Sequence, residues 1–137
     1  MNTKILMTSG AILFALIGIN LILFPKEILN HLELGVSDTL EILMQTFGSL
    51  YYGLAMLNWM SKGNLIGGIY NRPIVVANLT HFVVAVLVLI KGIYTNQSLS
   101  YIIWIITIIY SIFTILFGIV LLKHPDNKKI ILIEVNK

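Results

Sequence analysis

Four apolar stretches dominate the chain, separated by short polar punctuation. The first covers about residues 5–24 and stops at Pro25. The second covers about 40–60 and closes on Trp59, Ser61, Lys62 and Gly63. The third covers about 74–93, with Arg72 and Pro73 at its start, and the fourth about 101–122, running into Lys123, His124 and Pro125. Each supplies the roughly 20 apolar residues needed to cross a hydrocarbon core of about 30 Å. In lipid a segment must satisfy its own backbone hydrogen bonds, so helices are expected. None of the stretches alternates polar and apolar residues as membrane barrel strands do. The predicted fold is therefore all-α, an integral membrane four-helix bundle forming a single domain over residues 1–137.

The connections refine this picture. Residues 25–34 form a short amphipathic piece in which Ile28, Leu29 and Leu32 share a face. Pro25 suits its first helical position and Gly35 a left-handed residue after its last turn, so a short interfacial helix is predicted after the first span. Asp38, three residues before Glu41, reads as a capping pair opening the second span. Residues 64–71, with Gly67-Gly68, read as a connection, and Asn96-Gln97-Ser98 as a turn. A mixed tail follows, in which residues 130–133 are compatible with a short helix, a strand or an interfacial anchor. The start of the first span, with Lys4, resembles a signal peptide. Its apolar stretch exceeds the usual length and no A-x-A cleavage pattern follows, so it is expected to be retained.

Composition agrees with a lipid environment. Of 137 residues, 58% are hydrophobic and 11% charged, with a mean hydropathy of +0.93. A soluble domain carries roughly 25% charged residues. The absence of cysteine removes disulfides, thiolate metal sites and thiol nucleophiles together. A scattered net charge of +3 gives no reason to expect nucleic acid binding. Frequent Ile, Asn and Lys point to an AT-rich, bacterial source.

Basic residues set an orientation. Lys4, Lys62, Arg72, Lys123, Lys128, Lys129 and Lys137 fall on one side, and Lys26 and Lys91 on the other. The positive-inside rule predicts a multi-pass protein of the cell (inner or plasma) membrane, with both termini and the tail 123–137 cytoplasmic. The first loop, with Glu27, Glu33, Asp38 and Glu41, is then external and acidic. Trp59, Tyr70, Tyr94, Tyr101 and Trp104 fall near the predicted interfaces, where aromatic belts sit. Lys91 is expected to snorkel to the surface.

Polar residues within the spans are few, which makes them candidates. In the second span Gly48, Tyr52, Ala55 and Trp59 are spaced to share one face, with Gln45 three residues before Gly48. A lipid-embedded Gln is costly unless bonded, so Gln45 is expected to turn inward. In the third span Asn78 and His81 share a face. An intramembrane His is a candidate proton carrier, ligand contact or metal ligand. The structural alternative is interhelical hydrogen bonding to a Tyr or Gln. A metal site is not expected, because zinc wants three or four ligands and His31 and His124 lie on opposite sides of the membrane. Gln45, Tyr52, Asn78 and His81 are thus the candidate ligand-binding set. Small residues form two helix-contact stripes: Ala11, Ala15 and Gly18 in the first span, and Thr107, Ser111, Thr114 and Gly118 in the fourth. Gly48 belongs with them. The stripes suit either closure of the bundle on itself or a homo-oligomer face.

One order of features resembles a known group. The run Leu23-Phe24-Pro25-Lys26-Glu27-Ile28-Leu29, then Leu34-Gly35, then Gln45, Gly48 and Tyr51-Tyr52-Gly53-Leu54-Ala55, resembles small bacterial four-helix membrane families of unknown function, broadly DoxX-like. That group typically carries a basic residue near the position of Gln45, where this chain departs. The resemblance implies a four-helix bundle and no activity.

No G-x-S-x-G, H-E-x-x-H or phosphate-loop pattern occurs, and no pair of intramembrane carboxylates. An enzyme is not expected, and no cofactor is implied. The leading expectation is a non-enzymatic bundle, embedded in the lipid bilayer, whose polar interior binds a partner membrane protein or a small lipophilic ligand. An oligomeric small transporter or channel subunit is one alternative. An immunity-type or accessory protein, its acidic loop steering a cationic toxin, is another.

Overall fold

A computed structural model describes residues 3–63, 72–96 and 99–122. The expectations for the 64–71 connection, Tyr70, Gln97-Ser98 of the predicted turn and the tail 123–137 lie outside these residues. The described chain is all-helical, with five helices: α1 (Thr3–Leu23), α2 (Pro25–His31), α3 (Asp38–Ser61), α4 (Arg72–Thr95) and α5 (Tyr101–Leu122).

Three of them, α1, α4 and α5, are long and apolar enough to cross a membrane. Helix α3 is as long as α4, at 24 residues, but is the least apolar of the four long helices. Its first turn holds Asp38 and Glu41, and Gln45, Thr46, Ser49 and Asn58 follow.

The surface identifies the solvent these helices need. On α5, Ile105, Ile108, Ile112, Ile115, Ile119 and Leu122 recur at helical spacing and are all exposed. Helix α1 presents Ile5, Ile12, Leu16, Ile19 and Leu23 in the same way. Continuous apolar ridges of this length are a severe liability in water and the normal outer face of a helix in lipid. At 21 to 24 residues, α1, α4 and α5 extend about 32–36 Å, enough to cross a bilayer core of about 30 Å.

Two close helix pairs make up the fold. Helices α1 and α3 cross at Gly18 and Gly48, where neither residue interposes a side chain. A Cβ added at Gly18 would lie 2.8 Å from the Gly48 carbonyl oxygen, and one at Gly48 would lie 2.8 Å from that of Gly18. Further along, Gly10 faces the Asn58 amide, so the two helices run antiparallel. Helices α4 and α5 form the second pair, with Leu79 against Gly118 near one end and Gly92 against Leu99 near the other. Phe82 joins the pairs: it stacks on Phe14 of α1 at 5.1 Å and on Phe113 and Phe117 of α5 at 5.0 and 5.7 Å. Phe14, Phe82 and Phe117 are completely buried.

Local details differ from expectation at two places. The cap of α3 is Ser37, whose hydroxyl accepts from the Leu40 amide at 3.3 Å, one residue before the expected Asp38. Glu41, itself partly buried, is drawn instead to the exposed Lys26 of α2 at 3.5 Å. Helix α2 ends at His31, earlier than Leu34, because Glu33 and Gly35 both take left-handed backbone angles (φ 56° and 71°).

The glycine crossing yields a first prediction. Replacing Gly48 with Leu pushes a side chain into the α1 backbone and is expected to destabilise the protein by about 1–3 kcal/mol, the usual cost of overpacking. Gly53→Leu, at a position where a Cβ meets nothing within 4 Å, is the matched control and should not destabilise, gaining up to about 1 kcal/mol from relief of glycine's cost in a helix interior. Thermal unfolding in detergent measures both.

Candidate functional site

Position along the helix decides what each polar group can do. Helix α3 turns Gly48, Tyr51, Ala55 and Asn58 toward the interior, at spacings of three, four and three. The expected inward face, Gly48, Tyr52, Ala55 and Trp59, is correct at the two small residues and rotated by one position at the two large ones. Tyr52 is 45% exposed and Trp59 49%, with the Lys62 ammonium over the Trp59 ring at 2.8 Å. Spacings of three and four both keep a residue on one face, so the glycine alone did not fix which tyrosine follows it inside.

Asn58 and Asn78 form the innermost polar contact. Both are fully buried, and each amide donates to the other's oxygen, at 2.8 and 2.7 Å. Asn78 also donates to the Ile74 carbonyl at 2.9 Å. This reciprocal pair pins α3 to α4 and uses the polar capacity that was expected to face a ligand. Gln45 sits elsewhere: it is exposed, at the far end of α3, and its amide reaches the Ile22 carbonyl in the last turn of α1 over a long 3.4 Å. The carbonyls of a last helical turn lack intrahelical donors, which explains the attraction without an inward-pointing Gln.

Near the middle of α4, His81 stands in an aromatic cage. Its ring lies 5.0 Å from Phe14, 5.4 Å from Tyr51, 5.5 Å from Phe82 and 5.9 Å from Tyr110. Its Nε2 is buried and has no hydrogen-bond partner. Beside it the Tyr110 hydroxyl donates to the Tyr51 hydroxyl at 3.1 Å, tying α5 to α3. The structure therefore brings His81 together with Tyr51 and Tyr110. Asn78 is on the same helix face one turn away, and Gln45 and Tyr52 stand apart.

Above this layer, toward α2, the helix pairs separate. The cavity between them has a volume of about 900 Å³. Its walls are apolar, including Ile17, Leu21, Ala85, Leu89, Ile103 and Ile106, and Tyr51 and Tyr110 close one end. Asn20 of α1 and Glu27 and His31 of α2 give the other end a polar rim. Along α5 the lining runs from Ile102 to Tyr110, a rise of about 12 Å. A smaller groove of about 630 Å³ opens on the outside of α3, lined by Phe47, Leu50, Tyr51, Gly53, Leu54, Leu57 and His81.

The small-residue stripes have distinct surroundings. Ala11 and Gly18 are buried, and Ala15 partly so. On α5, Thr107, Ser111 and Thr114 donate their hydroxyls to carbonyls one turn back in their own helix, and Gly118 lies against Leu79. Among the described residues no group of three or more His, Asp or Glu side chains is placed to hold a metal ion.

Comparison with protein-family models, curated proteins and solved structures finds no match to this chain. Its function has to be argued from its own geometry.

The residues that sequence reasoning passed over are Asn58, Tyr51 and Tyr110. Asn58 lies ten residues after Gly48, about 80° around the helix, whereas Trp59 at eleven lies about 20° away, so spacing alone favoured Trp59; the signal for Asn58 was its polarity within an apolar span. Tyr110 carried none, since its inward aim depends on how α5 rotates against α4.

The amide pair is testable by a double-mutant cycle. Asn58→Leu or Asn78→Leu alone strands one buried amide and should destabilise by about 1–3 kcal/mol. The double variant should lose less than the two singles together, with a coupling of about 1 kcal/mol, the scale of interhelical hydrogen bonds in membranes. Unfolding in mixed micelles measures the four proteins.

Proposed function

We propose that this chain is a multi-pass protein of the bacterial cell membrane that binds a single-chain amphiphile in the cavity between its two helix pairs. The reading takes α3 as a fourth span, both termini as cytoplasmic, and the acidic α2 region as external. The antiparallel crossing with α1 supports the fourth span, since α3 runs alongside a helix that has the length and hydropathy to cross. The distribution of Lys and Arg supports the orientation.

The observation that carries the binding proposal is the form of the cavity. It begins at the level of α2, an amphipathic helix suited to the headgroup layer. It ends at Tyr51 and Tyr110, near the middle of their helices. That depth is close to one leaflet, about half of the 30 Å core. A polar group at Asn20, Glu27 and His31 and a hydrocarbon chain along the Ile, Leu and Ala85 walls would match the lining. Pockets of about 300–1,000 Å³, mostly apolar with a few placed polar groups, are the usual form of small-molecule sites. A transporter or channel formed by oligomerisation is less well supported: Gly118 contacts Leu79 within the chain, and Thr107, Ser111 and Thr114 spend their hydroxyls on their own helix.

Two measurements test this. Dodecanol carrying a diazirine, photolysed with the protein in nanodiscs, should label cavity residues such as Ile17, Ala85 and Ile106 in a manner saturable by unlabelled dodecanol. Ala85→Trp, which fills the cavity, should reduce that labelling about tenfold with an unchanged melting temperature. Labelling scattered over the exposed ridges of α1 and α5, insensitive to Ala85→Trp, would sink the proposal. For orientation, the chain's lack of cysteine allows single probes: Glu33→Cys should react with an impermeant maleimide on intact cells, and Lys62→Cys only after permeabilisation.

A further inference from the structure

The polar rim of the large cavity is rich in hydrogen-bond acceptors and contains neither Lys nor Arg. Val88 and Phe24 line the cavity and are exposed, so it opens to the surface near α2. Glu27 and His31 of α2 are four residues apart and both line the cavity, so one face of this short helix turns toward it. Asn20 of α1 completes the rim, and its amide nitrogen already donates to the Leu16 carbonyl at 2.8 Å. The Asn20 oxygen is the end of that amide left for a ligand. An ionised carboxylate only accepts, and a neutral imidazole keeps one acceptor nitrogen.

The charge at this rim points the same way. Among the described residues the Glu27 carboxylate makes no ion pair and no hydrogen bond. Its neighbour Lys26 is drawn to Glu41 at 3.5 Å. At this end of the bundle Glu27, Glu33, Asp38 and Glu41 stand against Lys26 and Lys91, four negative charges against two positive. An anionic head placed here would meet the Glu27 carboxylate beside lipid, where charges are less screened than in bulk water. A hydroxyl head would satisfy one acceptor and leave the carboxylate uncompensated. A protonated amine carries a positive charge, three donors and no acceptor, and so answers both properties of the rim. The exposed Phe24 ring adds a face that attracts a cation.

We propose that the cavity selects a single-chain amphiphile whose head is a protonated primary amine, held by Glu27 with Asn20 and His31 as further acceptors. The proposal rests on the cavity-binding reading above and names the chemical class of the ligand. The hydrocarbon chain lies along the Ile, Leu and Ala85 walls, and the ammonium stays at the level of α2. The same carboxylate that attracts the amine repels chains with anionic heads, so selectivity comes from both signs of interaction.

The test is competition against the diazirine-bearing dodecanol in nanodiscs of zwitterionic phosphatidylcholine at neutral pH. Dodecylamine, dodecanol and dodecanesulfonate are supplied at matched mole fractions in the lipid. Dodecylamine should displace cavity labelling at about tenfold lower mole fraction than dodecanol, the scale of one charge-assisted hydrogen bond, and dodecanesulfonate should need about tenfold more. Glu27→Gln should erase the difference between amine and sulfonate. Glu27→Lys should reverse their order, a gain that misfolding does not produce. Glu33→Gln removes a charge from the same end without touching the cavity lining, and should keep the wild-type preference. Equal displacement by all three chains in the wild type would overturn the amine assignment and leave cavity binding standing. So would a preference lost as fully in Glu33→Gln as in Glu27→Gln, or one for the sulfonate. No saturable cavity labelling in the wild type would overturn both readings.

Discussion

The close crossing of α1 and α3 at Gly18 and Gly48 is the constraint from which the rest of the arrangement follows. In lipid no hydrophobic force drives helices together, so association relies on close backbone approach and a few hydrogen bonds. Two glycines facing one another provide the first, with backbone groups of the two helices where side chains would otherwise stand. This fixes which side of α3 lies against α1. With Gly48 facing α1, the pairing of Asn58 with Asn78 and of Tyr51 with Tyr110 selects the rotation that turns Tyr51, Ala55 and Asn58 inward and leaves Tyr52 and Trp59 exposed. The hydrogen bond of Asn58 to Asn78 and the contact of Tyr51 with Tyr110 then set α4 and α5 against the first pair.

Filling is uneven along the bundle axis, and this unevenness makes the cavity. The bulky interior residues Phe14, Phe82, Phe113, Phe117, Tyr110 and His81 gather in the middle and toward the Asn58–Asn78 level. Toward α2 the facing residues are Ala85, Val88 and Leu89 on α4 and Ile102, Ile103 and Ile106 on α5. Helices held at one end by stacked rings cannot close over smaller side chains at the other. A protein interior without functional demands tends toward native density, with few voids larger than a water molecule. The space of about 900 Å³ lined by five helices is instead a half-open cleft, within the usual size of small-molecule sites.

Much of the fold was legible in the sequence because lipid imposes a coarse rule: an apolar run of sufficient length becomes a helix. The positions of α1, α4 and α5 follow from that rule alone, and Pro25 and Gly35 marked the turns around α2. The rule is silent about rotation. Gln45 illustrates the point: its amide found an unsatisfied carbonyl at the end of α1 and had no need of the interior. Asn78 was legible as a buried polar residue, but not as the partner of Asn58, because pairing is a property of two helices and not of either alone. The amphipathic cavity had no sequence signature, since its walls are ordinary Ile, Leu and Val.

The rotation of α3 also sets the Tyr51 ring against His81 on α4. His81 faces four aromatic rings, and its Nε2 is the buried side-chain polar atom that is left without a hydrogen-bond partner among the described residues. Orphaned polar atoms in low dielectric are costly, and a fold that required only rigidity would be better served by Phe or Leu at this position. Asn58 and Asn78 show that this chain satisfies buried amides completely where polar groups serve structure. The contrast separates two uses of polarity one helical turn apart. At Asn78 polarity locks the helix pairs together. At His81 it is left open beside Tyr51, which lines both the large cavity and the groove on the outside of α3.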